Sequence, residues 1–271
     1  MNILSKLSSV IRFCRNYRNP LQVLWARSVR PDGLVTVVDR ASGVACQCKV
    51  RSYRMFGEVW HDRDYDVPKL AIRPGDVVLD IGANQGFYTC YAAWHGAQIH
   101  AFEPFPESFG RLTENVAANG LNARVKARCC AIGGQTGRRE LLVSDRLGGG
   151  MDTIQESFAA NANLEVRLKI PVDVISLEQV MKENAIERVR ICKLDCEGSE
   201  LEILAGLPLE LAERFDALVI EFHSEVYDPK ELLALLCGWK THHVSYAEDK
   251  YCTSQIIRAV HQRVLLGEEW D

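Results

Sequence analysis

"VVLDIGANQGFYT", residues 77–89, decides the fold of this chain. The run "VVLD" is short, apolar and rich in β-branched residues, which reads as a buried strand ending at Asp80. Gly82 and Gly86 follow in a tight turn, and a helix begins near Phe87. Glycines there let the backbone approach a ligand closely, and the helix start offers free N–H donors. The spacing in "GANQG" is GxxxG rather than the GxGxxG of a dinucleotide site, and no lysine follows to make a P-loop.

Working outward, the same alternation continues. Residues 87–96 have helical character and end at Gly96, and "QIHAFEP" (98–104) is a second strand. Residues 106–120 form a helix closed by Asn119-Gly120, and "RVKARCCAIGG" (124–134) reads as one third strand. Strands alternating with helices indicate βαβ units and a parallel sheet. Residues 138–172 break the rhythm with "RELLVS" and "LEVRLKIPV" around the glycine-rich "RLGGGMDTIQ". It then resumes: a helix from Ser176, the strand "VRICKLD", the helix "SELEILAGL", the strand "DALVIEF", and the helix "PKELLALLCGW". Two late strands, "THHVSYA" and "TSQIIRAV", close the chain as a hairpin, giving about seven core strands. Upstream, residues 34–39 and 44–50 form another hairpin, and the turn "RPGD" (73–76) divides an extension, 1–72, from the domain 73–271.

The 271 residues, 47% apolar and 25% charged, suit a globular chain with one large core. A net charge of −4 gives no sign of a general nucleic-acid binder. Ten cysteines are scattered without a CxxC pair, so zinc and thioredoxin spacings are missing and reduced thiols in a cytoplasmic protein are expected. No apolar stretch is long enough to span a bilayer. Residues 1–30 carry six basic and no acidic residues, with Ile3, Leu4, Leu7, Val10, Ile11 and Cys14 at helical spacing. Such a helix suits either weak peripheral contact with an anionic membrane or docking on its own domain.

Glu103 ends the second strand about twenty residues beyond the glycine turn, where an acidic side chain accepts hydrogen bonds from ribose hydroxyls. A helix cap is the alternative reading. "KLD" ends the fourth strand, which brings Asp195 to the carboxyl edge of the sheet, where open α/β folds bind ligands. Alternation puts Lys193 and Asp195 on one side and Leu194 on the other. Glu197 lies in the turn beyond. Ser199 reads as the next helix's N-cap, and Glu200 falls in its first turn, where the helix dipole favours a negative charge. Glu221 and His223, two apart, share a face beside Asp195. A histidine beside carboxylates is a natural general base, and a loop histidine with a satisfied hydrogen bond is the alternative.

Four stretches in order, "DIGANQGFYT", "AFEPFPESFGRLTENVAANG", "CAIGG" and "KLDCEGSELEILAGL", resemble the FkbM-type S-adenosylmethionine-dependent methyltransferases. The resemblance covers residues 56–225 and includes the lead-in "FGEVWHDRDYDVP". It implies an α/β, Rossmann-like class I methyltransferase fold, a seven-stranded sheet with an antiparallel last strand, here with a small N-terminal helix and β-hairpin extension. It implies that Asp80, Gly82, Ala83, Asn84 and Gly86, with Phe87, Tyr88 and Thr89 at the helix start, hold the methionine end of S-adenosylmethionine. Glu103 would take the ribose, Pro104 and Phe105 would border the adenine, and the backbone of Ala131 and Ile132 would meet its edge. Many class I enzymes end the third strand in an acidic residue that reads the adenine amino group; "RCCAIGG" has none. The polar loop 61–66 is expected to close over the cofactor with Tyr65 in contact.

Asp195, Glu197, Glu221 and His223 are then the candidate catalytic groups. They could also make an oxygen-rich metal site, but the resemblance requires no metal and none is assigned. The expected reaction is O-methylation of a hydroxyl on a glycan sugar or a natural-product scaffold. The expected partner is therefore a small-molecule or glycan acceptor rather than nucleic acid. A nucleic-acid methyltransferase and a non-catalytic binding module are the alternatives. "NPPY"-type target motifs are absent, and the intact glycine turn with Glu103 opposes a degraded site.

Overall fold

Val78 and Leu79 are both buried, but in different cores, and this is why the decisive strand reads as an unbroken apolar run. A sheet covered on both faces has no solvent side to mark with polar residues. The computed structural model describes residues 11–144, 152–161, 163, 165–222, 228–247 and 255–267. Strands β1 (Leu34–Val38) and β2 (Ala45–Lys49) form the antiparallel N-terminal hairpin. Strands β3 (Val77–Ile81), β4 (Gln98–Phe102) and β5 (Val125–Arg128) run parallel to one another. A separate sheet of order β6-β8-β7 comprises β6 (Ala131–Gly133), β7 (Gly137–Ser144) and β8 (Val166–Ser176). Strands β9 (Ile191–Leu194), β10 (Ala217–Phe222), β11 (His242–Ala247) and β12 (Gln255–His261) complete the large sheet, whose order is β11-β12-β10-β9-β3-β4-β5.

Strand β12 pairs antiparallel with both β10 and β11, so the last strand is inserted against the direction of its neighbours. This is the seven-stranded class I methyltransferase topology. Helices Phe87–Trp94 and Pro106–Ala118 cross between the first strands. The helix Leu177–Glu183 starts where Ser176 accepts a hydrogen bond from the Gln179 N–H, and Pro229–Gly238 where Asp228 accepts one from Lys230. Period-two alternation sorts the core: Val78, Ile99 and Val219 belong to one face, and Leu79, Phe102, Leu194 and Ile220 to the other.

Two local expectations change. The run 124–134 is not one strand. It breaks at Cys129-Cys130, because β5 stays with β4 while β6 leaves to pair with β8. A continuous apolar pattern cannot reveal a change of partner. At the start of the helix Glu200–Ala205, Ser199 makes no side-chain cap. The wholly buried Glu200 carboxylate instead accepts from the Cys196 N–H at 2.9 Å and the Gly198 N–H at 3.3 Å. A carboxylate binds these donors more strongly than a hydroxyl does.

The N-terminal hairpin is sewn to the helix Pro106–Ala118 by two side-chain amides that imitate a neighbouring strand. Asn115 accepts from the Gln47 N–H at 2.7 Å and donates to its carbonyl at 3.0 Å. Asn119 does the same with Ala45, at 2.9 and 2.7 Å. Beyond the hairpin, one π-helical turn at Glu58–Asp62 leads to Tyr65. Arg258 on β12 donates to the carbonyls of Asp64 and Asp66 on either side of that tyrosine.

Candidate active site

The turn after β3 touches the turn after β9 directly. Gly82 has φ +72°, and a Cβ there would lie 1.7 Å from the Asp195 carbonyl oxygen, so only glycine admits the contact. The two turns open a cavity of about 320 Å³ at the carboxyl ends of the central strands, roofed by residues 51–65 and 152–154.

One end of the cavity is built around Glu103. Its two carboxylate oxygens accept from the Asn84 and Phe105 N–H groups, each at 2.8 Å. Burial lifts its pKa to about 7; those N–H groups oppose the rise and the Asp152 charge adds to it. Ala131 and Ile132 line the same cavity. Asp152 joins them from the segment after β7, one oxygen held by the Ser144 N–H at 2.9 Å. Burial raises Asp152 to about 6. Its second oxygen, Asn84 Oδ1 and the Tyr88 hydroxyl are buried without a hydrogen-bond partner among the described residues. Buried polar atoms are rarely left so, and these suit a polar ligand.

The other end is a network around Lys193. Its ammonium donates to the Gly82 carbonyl at 3.0 Å and lies 3.2 Å from Asp195 and 3.5 Å from the fully buried Asp80. Burial opposes its charge, but Asp195, Asp80 and Glu221 outweigh it, so its pKa is raised and it stays cationic. The Tyr65 hydroxyl donates to Glu221 at 2.5 Å, with Asp195 3.4 Å away, and Lys193 faces its ring at 5.2 Å. Glu58 completes the wall. Burial, then Glu221, Asp64 and Asp195, push its pKa up to about 7 against the pull of Arg54. Glu58 also lines a second cavity, of about 410 Å³, together with Leu24, Arg27 and Tyr53.

Of the residues expected at the cofactor, Gly82, Ala83, Asn84, Phe87, Tyr88, Glu103 and Pro104 line the cavity, as do Ala131, Ile132 and Tyr65. Asp80, Gly86, Thr89 and Phe105 are not among the residues that line it. Asp80 accepts from Thr89 at 2.5 Å as well as facing Lys193. Of the expected catalytic groups, Asp195, Glu197 and Glu221 line the cavity, and His223 lies outside the described residues. Glu197 adopts φ +51°, and its carbonyl accepts from Thr153, which ties the β9 turn to the segment carrying Asp152.

Lys193, Glu58 and Asp152 are not among the individual residues expected at the site. Lys193 left a signal, since a cation inside an apolar strand must find a partner. Glu58 and Asp152 left none, because their positions depend on a π-turn and a loop.

The model of the methyltransferase FkbM domain matches residues 80–246, more than half of the chain. The chain belongs to the FkbM methyltransferase family. Its relatives at 29% identity include two with informative names. One is the 31-O-demethyl-FK506 methyltransferase FkbM of Streptomyces tacrolimicus, matched over 68% of this chain and 79% of its own length. The other is the hexuronic acid methyltransferase AglP of Haloferax volcanii, matched over 74% and 79%. Among solved structures, the methyltransferase FkbM of Methylobacillus flagellatus gives a TM-score of 0.49 at 15% identity, over 71% of this chain and 45% of that one. Membership of the FkbM family makes this chain a methyltransferase, and its fold class rests on the strand order given above.

Proposed function

We propose that this FkbM-family chain transfers the methyl group of S-adenosylmethionine to a hydroxyl, first of a sugar and second of a natural-product scaffold. The observation that carries the reading is the charge of the cavity. Six carboxylates line it (Glu58, Glu103, Asp152, Asp195, Glu197 and Glu221) against two cations, Arg51 and Lys193. This excess favours a cationic methyl donor over its neutral thioether product and opposes the phosphates of nucleic acid. When bound, S-adenosylmethionine supplies a sulfonium-activated methyl group.

The chain supplies orientation and a proton acceptor. Glu103, its oxygens aimed by two backbone donors, accepts from the ribose hydroxyls. Asp152 provides, from the segment after β7, the acidic contact for the adenine amino group that the third strand lacks. Lys193 locks the Gly82 turn and Asp195 in place and offsets part of the acid charge. Glu58 shares a proton affinity near neutrality with Glu103, but Glu103 is held by two backbone donors at the ribose end. Glu58 stands instead at the junction of the two cavities and accepts the acceptor hydroxyl's proton. Asp195 and Glu221, the latter holding Tyr65, orient that hydroxyl.

Support for the acceptor class comes from the relatives' names, one a hexuronic acid methyltransferase and one a methyltransferase of 31-O-demethyl-FK506. The test is calorimetry with S-adenosylmethionine and S-adenosylhomocysteine, followed by mass detection of methylated products in a panel of sugar and macrolide acceptors. Micromolar binding and a methyl gain on a hydroxyl are expected; no binding at millimolar cofactor overturns the reading.

A further inference from the structure

The helix Pro20–Val29 presents an apolar stripe to solvent that the methyl-transfer reaction does not use. Leu21, Trp25 and Val29 recur every four residues, so they lie along one side of the helix, and they are 78, 50 and 57% exposed. The opposite side is satisfied, with Val23 and Ala26 buried against the protein. Ile11, in the preceding helical residues 11–16, is also half exposed. Exposed tryptophan and leucine on one helix face call for a covering surface.

The charge around the stripe selects what covers it. Residues 11–31 contain Arg12, Arg15, Arg18, Arg27 and Arg30 and no acidic residue. The Arg30 guanidinium lies 4.7 Å from the centre of the Trp25 ring, a cation over an exposed aromatic. Arg12 is paired with Asp62, and a second copy of this chain would bring the other four cations against themselves. An anionic lipid surface complements both features, since it takes apolar side chains into its interface and attracts arginine to its headgroups. No helix among the described residues is long and apolar enough to cross a membrane, so the contact is peripheral.

We infer that the face formed by Leu21, Trp25 and Val29 with the flanking arginines docks on an anionic lipid membrane. On the flank of the same helix, Leu24 and Arg27 line the second cavity, which meets the first at Glu58. The docking face therefore adjoins the route to the proposed proton acceptor.

The test is co-sedimentation of the full chain with vesicles of phosphatidylcholine alone and of phosphatidylcholine with about one third phosphatidylserine. Binding is expected only to the anionic vesicles and should weaken with salt. Arg15→Gln and Arg18→Gln should each lower the partition coefficient about fivefold, the equivalent of about 1 kcal/mol per surface charge. Leu21→Ala with Trp25→Ala should abolish it. All these positions are exposed, so thermal melting and S-adenosylhomocysteine affinity should stay unchanged, which separates this inference from the methyl-transfer reading. Equal binding to both vesicle types, or none, overturns the inference. So does self-association that the Leu21→Ala/Trp25→Ala variant removes, which would assign the face to a second copy.

Discussion

Glu103→Gln removes the anion at the centre of the proposed donor site while nearly keeping its shape. In the native protein each carboxylate oxygen takes one backbone N–H at 2.8 Å and has a lone pair left for a ligand hydroxyl. Glutamine keeps one acceptor oxygen and turns an NH₂ group toward the second backbone donor. A hydrogen bond to a charged group contributes about 1.5–3 kcal/mol, so affinity for S-adenosylhomocysteine should fall about 10- to 150-fold at pH 8. The pH dependence is the sharper part. Burial lifts the Glu103 carboxyl to about 7, so the free protein is protonated there below neutrality, and ligand hydroxyls bind at full strength only after that proton leaves. Native affinity should therefore be flat above pH 8 and weaken below 7 toward the affinity of Glu103→Gln, by at most about tenfold per unit. In Glu103→Gln this acid limb should disappear. Isothermal titration from pH 5.5 to 8.5 reads both effects. Equal affinity of the two proteins at pH 8, or native binding indifferent to pH, would refute the reasoning.

Three further substitutions probe other parts of the site. Asp152→Asn should weaken S-adenosylhomocysteine binding about tenfold and reduce discrimination against its inosine analogue; unchanged discrimination in titrations places the purine elsewhere. Glu58→Gln should lower turnover and, at saturating donor, erase the limb near pH 7 in the rate profile, without altering affinity for the neutral S-adenosylhomocysteine. The same variant should be more stable than the native protein at pH 8, by about 1–2 kcal/mol after solvent screening, and not at pH 4. The sign follows from the raised pKa: stability held by the protonated form is present below the unfolded value and lost as pH rises through about 7. Denaturant melts at both pH values check this. Lys193→Met should cost about 3–5 kcal/mol, because Asp80 is left buried without its cation, and adding Asp80→Asn should restore part of that. Additive losses in the double variant would show that the pair is not coupled.

Much of the fold was legible because buried parallel strands carry an unmistakable pattern. "VVLDI", "QIHAF" and "ALVIEF" are apolar on both faces and are punctuated by glycine or acidic residues at their carboxyl ends. The ordered motifs further implied the antiparallel last strand, and β12 occupies that place. The failures have one physical source, the dependence of local structure on a distant partner. The break between β5 and β6 follows from the arrival of β8. The displacement of Ser199 as a cap follows from Glu200 folding back on its own turn. Within the site, residues on the sheet edge could be named from their strands, as Glu103, Asp195 and Glu221 were. Glu58 and Asp152 come from the N-terminal extension and from the segment after β7, where no periodicity forecasts which side chain faces inward. The apolar stripe expected over residues 3–14 lies mostly outside the described residues, and the exposed face observed is on the following helix.

The central claim is that the cavity between the β3 and β9 turns is the methyl-donor site. A crystal structure of the chain with S-adenosylhomocysteine tests it most directly. The account predicts ribose hydroxyls on the Glu103 carboxylate, the purine amino group on Asp152, and the sulfur facing Glu58, Asp195 and Glu221. A ligand bound elsewhere, or one in this cavity that leaves Glu103 uncontacted, would contradict it.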